Sequence, residues 1–458
     1  MMKHSTLSFL MKRIIDISLF FLFVCIPLVI NPFATDFWYK PKIESVYALV
    51  IIILIAVIIR HLFLNAPLRF KYIHLTIPLL AYAASAVIST VFSIAPKLSL
   101  YGDVMREESM FAILSYVALT FIFSQLVESK KQCHALIKGL IFSSIIISLN
   151  AIINYFGYFP IKHLEPIGIR GPGVGSFIGN ANFLGKYLVL ALPLSGAYYL
   201  TVKTKVEKVF LSASVLIYLY ALLLTFTRAS WVGCMVGFVI FFILTKRTIL
   251  RKNRKWIPVS MLLVLVIVVI STFTLLPENK QNLTDILKER IYAVLDFKEG
   301  KGVATRLFVW KKSIGIIQER PLIGYGPDAH VKAMEKFNLD YCLKFNDWVQ
   351  IEEGGKKIIR FNNWTLLDRA HNNYLDIAIG QGLIGLAAYI SIILTFQIWL
   401  WRTIKNEGDS ASRIIFSGIF ASVCGYIVND FFIFSVVSVS PTFWSLMGLT
   451  ISMKNIRT

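Results

Sequence analysis

Apolar runs of about twenty residues recur along nearly the whole chain, each long enough to cross roughly 30 Å of hydrocarbon as a helix. With 56% hydrophobic residues, 16% charged residues and a mean hydropathy of +0.67 over 458 residues, a soluble globular domain is excluded. The chain reads as an all-α, polytopic integral membrane protein. Windows of about twenty residues give about 12 transmembrane helices, near 14–32, 44–64, 74–94, 109–127, 135–155, 181–201, 208–227, 229–245, 256–276, 381–401, 412–434 and 437–453. The first run follows Lys12 and Arg13 like a signal peptide but has no small-residue cleavage site before Asn31-Pro32, so it is read as a retained helix.

The net charge of +21 is unevenly spread. Basic residues gather in short connections: Arg60/Arg69/Lys71, Lys130/Lys131, Lys203/Lys205/Lys208 and the Lys246–Lys255 stretch. With the span assignment above, all of these fall on one face, together with Lys12 and Arg13 at the start and Lys454 and Arg457 at the end. That is the positive-inside pattern, so both termini are expected in the cytoplasm. None of the clusters is interleaved with stacking aromatics, and no nucleic-acid partner is expected. Cys25, Cys133, Cys234, Cys342 and Cys424 have neither disulfide nor metal-ligand spacing.

The opposite face carries the loops 31–41, 95–108 and 157–180, a tight corner at 227–230, and a long segment, 277–371. We read residues 1–458 as a single membrane domain, with 277–371 as an extracytoplasmic (periplasmic) loop subdomain within it. Amphipathic helical patterns occur in that loop at 285–297 and 305–319, and turn clusters at 324–328 and 352–355. Loops this long are usually functional. No internal repeat relates the two halves, which weighs against an inverted-repeat transporter.

Four kinds of residue on that face could carry chemistry. His371, in Arg369-Ala370-His371-Asn372-Asn373, stands where polar sequence runs into an apolar span, and its imidazole can take a proton near neutral pH. It reads either as a general base or as a satisfied polar residue at a helix start; Asp368 or Asp376 could orient its ring, and no second histidine is expected nearby. Arg228 lies at the corner between two apolar runs, as an anion ligand or as an interfacial anchor beside Trp231. Arg306 opens an amphipathic helix, as a phosphate ligand or a surface residue. Arg106, Arg170 and Lys186 add positive charge. Gly171, Gly173 and Gly175 lack the strand-to-helix context of a dinucleotide loop. Two arginines and a histidine on one membrane face suit an anionic, lipid-linked substrate and a proton to be removed. No metal site and no cofactor are expected.

The chain resembles the O-antigen ligase superfamily, which includes O-antigen polymerases and bacterial O-oligosaccharyltransferases. The resemblance rests on His371-Asn372, nine residues, then Gly382-Leu383-Ile384-Gly385, and on the corner Thr227-Arg228-Ala229-Ser230-Trp231. It extends to Thr305-Arg306 through Trp310, to Glu319-Arg320-Pro321-Leu322-Ile323-Gly324-Tyr325-Gly326, and to Gly179-Asn180-Ala181-Asn182, where Ala181 replaces the usual Pro. It implies a membrane glycosyltransferase of GT-C-like architecture in the bacterial inner membrane. The implied reaction is metal-independent, inverting transfer of a glycan from undecaprenyl-pyrophosphate to an acceptor hydroxyl. By this resemblance His371 would be the base and Arg228 and Arg306 the pyrophosphate ligands, with Asn372, Asn182, Arg106, Arg170 and Tyr325 in support. The acceptor would be a lipid A–core sugar, the growing glycan or a protein hydroxyl. The short sequence after the last span favours the first over a protein. A lipid-linked glycan flippase is the alternative from another class; it would be expected to place charges deep within several spans.

Overall fold

The computed structural model describes residues 2–34, 36–64, 71–103, 106–158, 173–253, 301–337, 348–353, 356–361 and 369–456. Helices dominate them. Nine precede residue 254: α1 (Met2–Phe20), α2 (Lys40–Leu64), α3 (Thr76–Val91), the short α4 (Pro96–Tyr101), α5 (Met110–Leu126), α6 (Lys130–Tyr155), α7 (Ala181–Thr201), α8 (Lys205–Leu224) and α9 (Arg228–Asn253). Then come α10 (Lys301–Glu319), α11 (His330–Met334), β1 (Trp348–Glu353), β2 (Lys356–Phe361), α12 (Asn373–Asn406), α13 (Ser410–Asp430) and α14 (Ser440–Asn455). Helix starts are local in origin. The side chains of Ser109, Ser129, Asn180, Thr204, Asn372 and Asp409 each accept a backbone N–H of the first turn.

Seven helices among the described residues are long and apolar enough to cross a bilayer: α2, α6, α7, α8, α9, α12 and α13; α3 and α5 are shorter apolar helices. The span expected at 256–276 lies outside the described residues, as does the amphipathic stretch at 285–297. The first helix begins earlier than its apolar run, at Met2, and passes through a π turn (Phe21–Cys25) into a 3-10 turn carrying Pro27. Central and peripheral helices differ in what they bury. Nearly every residue of α7 from Phe183 to Tyr198 is buried, as is all of α14 from Ser440 to Met453. By contrast α2 exposes Ile51, Ile52, Leu54, Ile55 and Ile58, an apolar face suited to lipid. α13 packs on α7 and α9, α14 on α5, and α12 on α3.

Several basic connections among the described residues meet at one end of the bundle. Lys12 pairs with Glu128 (2.8 Å), Lys138 with Glu207 (3.3 Å) and Lys454 with Glu407 (2.9 Å), while Gln125 bonds the backbone of Lys71. The loops around residues 36, 107, 180, 227, 371 and 434 make their contacts at the other end.

Two features were not foreseen. An antiparallel hairpin, β1–β2, pairs Glu353 with Lys356 and Trp348 with Phe361, so the expected all-α class holds for the described residues apart from these two strands. The sequence marked the turn at 352–355 but not its flanking strands. The second feature is a break in α12. Leu383 and Ile384 N–H bond not to carbonyls one turn back but to Pro321 O (2.7 Å) and Leu322 O (3.5 Å). The orphaned Ile379 and Gly380 carbonyls accept from Tyr325 N and Gly326 N (both 2.8 Å). Segment 321–326 is thus inserted into two rungs of the helix ladder. Gly382 makes this possible: its φ is +70°, and a Cβ there would run into Leu322 O and Ile323 N.

Candidate active site at the end remote from the basic loops

The site is built on the start of α12. Asn372 caps the helix, accepting Tyr374 N (3.0 Å) and Leu375 N (3.2 Å). Just before the cap, His371 sits at φ +50°, a left-handed conformation that few non-glycine residues adopt. The residues ahead of it are clamped one by one. Ala370 N donates to Asp376 Oδ1 (2.8 Å), and Ala370 O accepts from the Trp310 indole (3.0 Å). Arg369, only 5% exposed, is ion-paired with Asp328 and donates to His330 Nδ1 (2.8 Å). A guanidinium can only donate, so His330 Nδ1 accepts, and its Nε2 carries the hydrogen that bonds Asp376 O (2.7 Å).

Behind the histidine, Asn373 donates to Asp430 Oδ2 (3.1 Å) and accepts from Ser435 N (3.1 Å). Asp430 also accepts from Tyr389 OH (2.8 Å) and is ion-paired with Lys186, both charged side chains being fully buried. Lys186 donates a second bond to Phe434 O (3.2 Å). The loop between α13 and α14 is therefore pinned to α7 and α12, and it presents its rings to the site. Phe434 lies 5.5 Å from the His371 ring and under the guanidiniums of Arg106 (4.9 Å) and Arg369 (5.8 Å). Two residues earlier, Phe432 lies 5.9 Å from the Arg306 guanidinium.

Arg228 is the first residue of α9, after a corner in which Phe226 takes φ +51°. Beside it Thr227 Oγ1 donates to Asn182 Oδ1 (3.3 Å), and Asn182 is exposed in the first turn of α7. Burial, and then the nearby Arg228 guanidinium, lowers the proton affinity of Arg306 below the ordinary arginine range. The two arginines, distant in sequence, thus share one local field. Ala181 occupies the first helical position of α7, where proline is best tolerated; alanine keeps that turn, and Asn182 N still bonds Asn180 Oδ1 (2.8 Å).

A cavity of about 50 Å³, bounded by Phe434, is lined by Glu108, Asp328, His330, Arg369 and Asp376 together with apolar and aromatic side chains, with room for a few waters. Asp376 Oδ2 is buried there without a hydrogen bond from the protein. Burial pushes the Glu108 carboxyl up, against the opposing bond from Tyr116 OH (2.8 Å).

Among the expected residues, His371, Arg106, Arg228, Arg306 and Asn182 converge on this end of the bundle. Asn372 serves as the helix cap. Tyr325 has a supporting place instead: its hydroxyl bonds Glu319 (2.6 Å) and its backbone fills the break in α12. Arg170 and Asp368 lie outside the described residues. Two expectations need correction. Asp376, offered as a partner for the His371 ring, holds Ala370 N and faces His330 at 3.7 Å. A second histidine does stand near, His330, brought in from a distant turn. Sequence reasoning missed the Lys186–Asp430 pair, the Arg369–Asp328 pair and Phe434. A lysine and an aspartate within apolar runs were a legible signal, because such charges need partners; a phenylalanine among 35 gave none.

Compared with curated proteins, the chain has no match. Residues 213–390 match the family described as O-Antigen ligase, a stretch that includes Arg228, Arg306, Trp310 and His371. The chain is an integral membrane protein by its apolar helices, and its stretch 213–390 is similar to the O-antigen ligase family.

Proposed function

We propose that the protein transfers an oligo- or polysaccharide from undecaprenyl-pyrophosphate to an acceptor hydroxyl, with inversion at the anomeric carbon. The observation that carries this reading is the convergence of Arg228 and Arg306 on one field, with loop 431–434 joining Arg306 to His371 through Phe432 and Phe434. Two guanidiniums that raise each other's energy favour a multiply charged anion between them, and a pyrophosphate fits their planar donor geometry.

His371 takes the proton of the acceptor hydroxyl. The oxygen attacks the anomeric carbon, the bond from that carbon to the pyrophosphate oxygen breaks, and the leaving charge develops against Arg228 and Arg306. Oriented cations in a partly dry site supply several kcal/mol of such stabilisation. The polyprenyl chain lies along the bundle in the bilayer. The basic end faces the cytoplasm by the positive-inside pattern, so the site and the 277–371 subdomain are extracytoplasmic, at the inner membrane.

The test is reconstitution with a lipid-linked glycan and three acceptors: lipid A–core, a second glycan lipid and a Ser/Thr peptide. Transfer to lipid A–core identifies a ligase, to the glycan a polymerase, and to the peptide a protein transferase. We expect His371→Ala to lower the rate on the order of 10²- to 10⁴-fold, as loss of a general base does. A His371→Ala protein transferring at the wild-type rate would overturn the base assignment. Movement of the glycan lipid across the bilayer without joining would replace the enzyme by a flippase.

A further inference from the structure

Arg306 and His371 come from segments far apart in sequence, on α10 and ahead of α12, and a reaction that uses both needs their spacing fixed to a fraction of an ångström. The link between them is on one helix face. Trp310 follows Arg306 by four residues, one turn along α10, so both project from the same side. Its indole Nε1 donates to Ala370 O at 3.0 Å, the carbonyl immediately before His371. That peptide is itself immobilised. Ala370 is fully buried in a small cluster with Val309 and Ile316 of α10, and its N–H is held by Asp376.

We infer that Trp310 is a positioning residue that sets the distance between the pyrophosphate-binding Arg306 and the His371 base, through its bond to the Ala370 carbonyl. The inference rests on the transferase reading above. The bond also bears on the φ of +50° at His371, because a rotation of the 370–371 peptide would swing the Ala370 carbonyl off the indole. A single hydrogen bond thus couples the helix that holds the donor to the backbone that aims the base. Trp310 reaches the reacting atoms only through these neighbours.

The test uses the full-length protein and Trp310→Phe, which keeps an aromatic ring and removes the N–H. We expect kcat to fall about 10- to 100-fold, the scale of an ångström's misplacement, with donor KM changed less than about threefold. Combined with Arg306→Ala, the losses should be less than additive, since the tether has nothing left to align. A readout independent of catalysis comes from spin labels at Leu307→Cys and Leu383→Cys, both exposed positions (56% and 46%), in a cysteine-free background. Their distance distribution should broaden in Trp310→Phe. An unchanged distribution, an unchanged kcat, or a loss fully additive with that of Arg306→Ala would each overturn the tether. If the distribution broadens while the wild-type protein moves the glycan lipid across the bilayer without joining it to any acceptor, the tether stands and the transferase reading falls instead.

Discussion

At the scale of single residues, the site is an arrangement of buried charges, each with a nearby partner. Lys186 and Asp430 are both fully buried, on α7 and at the end of α13, and Asp430 also receives Asn373 and Tyr389. Removing one member of such a pair strands the other, which costs roughly 3–5 kcal/mol, whereas replacing both with apolar groups of similar size can be nearly neutral. Asp430→Ala is therefore expected to lower stability by that amount, and the double variant Lys186→Met/Asp430→Leu by less than either single change. Thermal unfolding in one detergent compares them; additive losses would mean the pair is not coupled. The sequence made His371 and Arg228 legible because each stands where polar and apolar stretches meet. Arg369 stands beside His371 in the same stretch without a mark of its own. What marks it, its burial against Asp328 and His330, depends on a turn far away in the chain.

At the scale of elements, the spacing of His371, Gly382 and Gly385 has a mechanical cause. Gly382 breaks α12 so that segment 321–326 can enter its ladder, which fixes the direction of residues 373–381 and hence of His371. Helix propensity alone says that Gly382→Ala should gain about 1 kcal/mol. The structure says the reverse, because φ is +70° and the new methyl would meet Leu322 O. We expect a net loss of at least ~2 kcal/mol, together with reduced transfer. Unfolding midpoints for wild type and Gly382→Ala decide it, and a stabilised variant would sink this account. The apolar spans were readable from composition because the bilayer imposes their length. The break was not, since a pair of glycines in an apolar run fits both a close packing contact and a kink. The hairpin was missed for a related reason: Gly354-Gly355 in the sequence is compatible with a turn between any two elements, and no strand is expected beside it.

On the scale of the whole molecule, charge is segregated along the bundle axis. Several basic loops meet at one end, while the site end carries carboxylates among its arginines. Glu107, 8% exposed and at φ +59°, sits beside Asp36, Glu44 and Asp103. Burial first, and then Asp36, push its carboxyl up from the usual 4.5 to about 7, against the opposing pull of Lys40. The consequence for stability has a definite sign. Below about pH 4.5 the carboxyl is protonated whether the chain is folded or not, and its contribution is fully present. Between about 4.5 and 7 the unfolded chain releases the proton while the folded one keeps it, so stability falls as pH rises; above about 7 the contribution is lost. Glu107→Gln removes the titration, and should gain on wild type by roughly 1–2 kcal/mol between pH 4.5 and 7.5, after allowance for solvent screening. Unfolding midpoints of the two proteins from pH 4 to 9 test this. A difference that does not change with pH would show that Glu107 does not titrate in this window. A difference that grows as pH falls would reverse the sign and place the carboxyl in a stabilising ion pair instead.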